Sequence, residues 1–128
     1  MSIPSYTIIS IIGLQFVYRV YNMSANTIEI TDKNFDSTVK DNPLVVVDCW
    51  APWCGPCRMI GPVIDTLSEE YSDVTFGKLN TDENLDISRK FQIMAIPTLL
   101  FFKNGELVER ITGVVPKGNI EGVISKHK

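Results

Sequence analysis

Two thiols, Cys54 and Cys57, lie within Trp53-Cys54-Gly55-Pro56-Cys57. Before them runs an apolar stretch, Leu44-Val45-Val46-Val47-Asp48-Cys49-Trp50, and after them comes Arg58-Met59-Ile60-Gly61-Pro62. The pair therefore falls where a buried strand gives way to a helix. If Cys54 opens that helix, the unpaired backbone N–H groups and the positive dipole end favour its thiolate. Cys57, one helical turn further on, shares a face with Cys54 and lies within reach of an ordinary disulfide. One sulfur can attack and the other can resolve. The spacing suits the making and breaking of disulfides.

Other residues near the pair could take part. Asp48 is a carboxylate in the middle of an apolar strand. Burial raises its pKa, and a proton acceptor near Cys57 would help form the resolving thiolate. The bland alternative is a hydrogen-bonded, idle aspartate at the strand end. Pro56 fixes φ and removes a donor that could stabilise a thiolate, so Gly55-Pro56 either tunes the pair or only shapes the turn. Cys49 has apolar neighbours, which predicts a buried, inert thiol, with a regulatory third thiol as the alternative. Zinc is disfavoured: a structural site needs four ligands, and only Cys49 and His127 remain beyond the pair.

The elements that must position these groups alternate along the chain. Thr27-Ile28-Glu29-Ile30 reads as a strand, with Thr31 or Asp32 capping a helix to about Lys40. Leu44 to Trp50 suits a central strand covered on both faces. A helix from Cys54 to about Tyr71 carries Ile60, Val63, Ile64 and Leu67 at helical spacing, with a kink expected at Pro62. Val74–Leu79 is a strand and Asn84–Phe91 a short helix. Thr98–Phe102 and Leu107–Val114 are strands joined by an Asn104-Gly105 turn, and Lys117–Lys126 is the last helix. The order βαβαβαββα implies an α/β protein, a mixed sheet with helices on both faces.

Length and charge set the remaining bounds. A chain of 128 residues with 45% hydrophobic and 21% charged side chains is one soluble domain's worth of sequence. A net charge of −3 argues against a basic footprint for nucleic acid or anionic membrane. Three cysteines are too few for a disulfide scaffold. Residues 1–22 stand apart: Ser2–Tyr18 carries no charged side chain and is largely apolar. A cleaved signal lacks its basic region and cleavage site, and a membrane anchor is interrupted by Ser10, Gly13 and Gln15. We take residues 1–22 as an apolar extension outside the core fold and residues 23–128 as the domain. A tether remains the alternative, with Arg19 favouring a cytoplasmic side for the domain.

Asp48-Cys49-Trp50-Ala51-Pro52-Trp53-Cys54-Gly55-Pro56-Cys57-Arg58 resembles the active-site signature of the thioredoxin family. So do the later Ile96-Pro97-Thr98 and the strand–helix order from Ser24 to Lys128. The resemblance implies the thioredoxin fold, a central five-stranded mixed sheet flanked by four helices. It implies a general protein disulfide reductase with no metal and no bound cofactor. Such a protein acts on disulfide-containing targets as a cytoplasmic monomer and is recycled by a flavin-dependent thioredoxin reductase. Cys54 would be the nucleophile, its pKa lowered into the range of roughly 3.5–7.5 found for such thiols, thioredoxin's own among them. Cys57 would resolve, Asp48 would accept its proton, and Lys78 would stand near that carboxylate. Pro97 would be cis and face the dithiol, with the Ile96 backbone beside it pairing with substrate. Trp53, and Gly113 with Val114 and Val115, would form the docking rim. Gly55-Pro56 resembles the reducing branch of related families. Cys49 departs from the family, which often has an aromatic residue there, and Pro52 is within its variation. Two rivals stay open: a membrane-tethered thiol reductant or oxidant, and a binding module whose dithiol is vestigial.

Overall fold

The structure is a computed structural model and describes residues 26–128; the extension of residues 1–22 lies outside them. Nine elements follow in the expected order: β1 (Thr27–Ile30), α1 (Phe35–Asp41), β2 (Leu44–Trp50), α2 (Cys57–Glu70), β3 (Thr75–Asn80), α3 (Leu85–Lys90), β4 (Thr98–Lys103), β5 (Glu106–Thr112) and α4 (Lys117–His127). The strands form one sheet in the order β1-β3-β2-β4-β5. β1, β3 and β2 run parallel, whereas β4 is antiparallel to both β2 and β5. This is the α/β architecture anticipated, a five-stranded mixed sheet with four helices.

The central place of β2 follows from its composition. Leu44 to Cys49 are all buried, so a run that is apolar but for Asp48 is covered by helices on both sides. Alternation then divides the strand between two cores. Leu44 and Val46 join Ile60, Ile64 and Leu67 of α2 and Ile120 and Ile124 of α4 on one face. Val45, Val47 and Cys49 join Phe35 and Val39 of α1 and Ile87 of α3 on the other. Phe35, Phe91 and Phe102 tighten that second core, with ring centroids 5.3–5.4 Å apart.

Local chemistry sets the boundaries. The β4–β5 hairpin turns at Asn104 (φ 51°) and Gly105 (φ 86°), two consecutive left-handed residues as a type I′ turn requires. α1 begins later than expected. The Thr31 hydroxyl accepts from the Lys33 and Asn34 N–H groups, forming a turn of its own, and the helix starts at Phe35. α2 stays helical through Pro62.

Candidate active site

The largest departure from expectation is where α2 starts. Cys57, and not Cys54, is its first residue, with Pro56 already in helical conformation at the N-cap (φ −58°, ψ −29°). Cys54 sits in the turn between β2 and α2, where its N–H donates to the Ala51 carbonyl (3.1 Å). The Cys57 N–H, one of the helix's unpaired donors, points at the Cys54 sulfur (3.1 Å). The helix terminus thus addresses Cys54 through its sulfur, with the backbone of Cys54 outside the helix. Cys54 and Cys57 are joined in a disulfide with Cα atoms 5.3 Å apart. Both are nearly covered (3% and 6% exposed), packed with Ala51, Trp50 and Ile96.

The loop before β4 closes over the pair. The Ile96–Pro97 peptide is cis, and the Ile96 carbonyl oxygen lies 3.8 Å from Cys54 Sγ. Gly113, at φ 93°, donates its N–H to the Pro97 carbonyl (2.8 Å) and so ties the end of β5 to that loop. Val114 is exposed, whereas Val115 is half-buried and packs onto the α2/α4 core. Trp53 is 68% exposed, and its indole N–H donates to Asp82 Oδ2 (2.9 Å). Gly55 is also exposed, with open space around its Cα.

Asp48 occupies the α2 side of the sheet. With Cys57, Arg58, Gly61 and Lys78 it lines a cavity of about 200 Å³, large enough to hold water. The carboxyl is 1% exposed, and its Oδ1 has no hydrogen-bond partner among the described residues. Burial pushes its pKa up to about 7, against the pull of the Lys78 ammonium and with a smaller push from Asp65. Lys78 lies beside Asp48 in register on β3, yet its ion pair is with Asp65 of α2, Nζ to Oδ1 2.7 Å. Cys49 points to the opposite face, wholly buried, and burial followed by the Asp48 charge raises its thiol to about 12.

Sequence reasoning missed three partners. Arg58 reaches back to the Pro52 carbonyl (3.0 Å) and pins the approach loop. Asp82 orients Trp53, and nothing in its local sequence marks it. Asp65 did carry a signal: Cys57, Gly61 and Asp65 are spaced by four, one stripe of α2 with the small residue in the middle. Among the described residues no three His, Cys, Asp or Glu side chains gather as a metal site.

Comparison with known proteins places this arrangement. The thioredoxin family profile matches residues 26–126. Thioredoxin from Porphyra purpurea is 48% identical over 101 residues, covering 77% of this chain and 94% of that protein. Thioredoxin from Synechocystis sp. is 46% identical over 107 residues, covering 82% and 99%. Among solved structures, a point mutant of thioredoxin from Halobacterium salinarum superposes with a TM-score of 0.76 at 31% identity, covering 80% of this chain and 90% of that one.

Proposed function

Because the chain belongs to the thioredoxin family and is a thiol–disulfide oxidoreductase that reduces disulfide-containing proteins, we propose the following division of labour. The Cys54 thiolate, held by the Cys57 N–H, attacks one sulfur of a target disulfide. A mixed disulfide forms and the other target sulfur leaves as a thiolate that takes up a proton. Cys57 gives its proton to Asp48 across their shared cavity and attacks Cys54 Sγ. The second target sulfur departs as a thiolate that takes up a proton, as Asp48 gives up the one it accepted, and two electrons have passed from the dithiol to the target. Lys78 tempers the basicity of Asp48. Gly55-Pro56 shapes the turn and keeps Cys57 first in the helix. The exposed Trp53, the Ile96 backbone beside cis-Pro97 and the Gly113 end of β5 form the docking surface for an extended segment of the target.

The observation that carries this reading is the Cys54–Cys57 disulfide with a helix-terminal N–H directed at Cys54. A thioredoxin reductase would return the pair to the dithiol. We place the protein in a reducing compartment, the cytoplasm, as a monomer without nucleic-acid partners. Its negative net charge supports the last point, and its cysteines supply the active pair plus one buried free thiol, with no structural disulfide. No helix among the described residues is long and apolar enough to cross a membrane. The test is the reduction potential of the pair in defined thiol–disulfide buffers. A value near −270 mV, about that of thioredoxins, supports a reductant. A value of about −120 to −180 mV would make the protein an oxidant or isomerase.

A further inference from the structure

The proton acceptor assigned above has an unusual neighbour. Lys78 stands beside Asp48 on the adjoining strand, where a lysine would be expected to pair with the buried carboxylate. Its ammonium instead meets Asp65 at 2.7 Å, and Asp48 Oδ1 is left without a hydrogen-bond partner among the described residues. The geometry that allows this runs along α2. Cys57, Gly61 and Asp65 form one stripe, and the Lys78 ammonium lies over its middle, where a Cβ on Gly61 would meet Nζ at 3.8 Å, an ordinary contact. We propose that Asp65 is a positioning residue for the resolving step: its carboxylate holds the Lys78 ammonium, so that Asp48 stays unpaired and free to take the Cys57 proton.

This rests on the reading of Asp48 as that proton acceptor. Among the described residues the charges facing Asp48 are few. Lys78 comes from β3; Asp65, Arg58 and the Cys57 thiol come from α2; the β4 residue opposite, Leu99, is apolar. Cys49, its neighbour on β2, faces the other core. Lys78 lowers the Asp48 pKa and Asp65 raises it. Removing the Asp65 charge cancels the second influence and releases the ammonium to strengthen the first. Both changes act downward.

The test is Asp65→Asn, with two readouts in the full chain. One is the Asp48 side-chain carboxyl titration followed by carbon-13 NMR in the reduced protein. The other is the pH profile of the step in which Cys57 expels an aromatic thiolate from its mixed disulfide with Cys54. Both midpoints should fall together by about 1–2 units, the scale on which a close opposite charge acts. Asp65→Glu should restore them. In Lys78→Met, where no ammonium remains to be positioned, adding Asp65→Asn should move the midpoint much less. Unmoved or raised midpoints in Asp65→Asn overturn the proposal, as does an equal shift with and without Lys78. Asp48→Asn separates this failure from that of the underlying reading. If Asp48→Asn removes the titrating limb and Asp65→Asn leaves it in place, only the role of Asp65 falls. If Asp48→Asn leaves the limb intact, Asp48 is not the acceptor and both fall.

Discussion

Asp48 and Cys49 are consecutive on β2, both essentially inaccessible to water, and burial raises the pKa of each. The consequences are opposite. For the carboxyl, the rise ends at about 7, where a group can both accept and release a proton near neutrality. For the thiol it ends at about 12, which leaves almost no thiolate at physiological pH and therefore no nucleophile. Orientation completes the contrast. Strand alternation turns Asp48 toward the cavity it shares with Cys57 and Lys78, and turns Cys49 into the packing of Val45, Val47 and Phe35 on the other face. The same desolvation leaves one group titrating near neutrality and the other protonated there, because the two start from different intrinsic acidities on opposite sides of the sheet.

The contrast breaks most completely if sulfur chemistry can cross the sheet. Cys54→Ser leaves Cys49 and Cys57 in place, yet reduction of a disulfide-bonded test protein should fall to background. Cys57→Ser should instead trap a covalent adduct with the target, visible by mass spectrometry and released by a small thiol. A covalent adduct with the target in a Cys54→Ser, Cys57→Ser double variant would mean that Cys49 reaches substrate.

Next in size is the removal of the base. Asp48→Asn should slow the resolving step at neutral pH by about a hundredfold, the lower end of general-base effects, and flatten its rise near pH 7, measured by stopped flow. The same variant sharpens the comparison through stability. The folded protein holds the Asp48 proton more tightly than the unfolded chain, so ionisation between pH 3.8 and about 7 costs folding free energy. Relative to Asp48→Asn, the wild type should lose stability as pH rises through that window. The difference should approach about 4 kcal/mol above pH 7, at about 1.4 kcal/mol per unit, and vanish below pH 4, as read by denaturant unfolding.

The smallest effects belong to the other face. In reduced native protein at pH 8, two thiols should react with an alkylating agent, and the third should appear only on unfolding. Cys49→Ala should cost about 1 kcal/mol through the small cavity it leaves. It should not move the pH profile of exchange. A shifted profile would couple the two faces that burial and orientation otherwise keep apart.

Much of this was legible along the chain. The dithiol, the strand that precedes it, the Asn104-Gly105 turn and the order of the nine elements are local features, each set within a strand or a few helical turns. The buried state of Asp48 was also within reach, since an apolar run on both sides of a carboxylate leaves it little water. The helix start was misplaced by three residues because capping is decided by which donor meets which acceptor, and a sulfur took the Cys57 N–H. The Thr31 turn displaced α1 in the same way.

Sequence by itself determined the chemistry available: two thiols at helical spacing, a carboxyl in an apolar strand, and the alternation that builds a mixed sheet. Tertiary structure alone decided which groups meet. Lys78 answers to Asp65 of α2 although Asp48 is its neighbour in the sheet, and Asp82 holds Trp53 from a loop after β3. The physical reason is range. Periodicity and turn chemistry act over a few residues, whereas an ion pair or a shared cavity forms only after helices are laid on a sheet face, at distances the intervening chain does not encode.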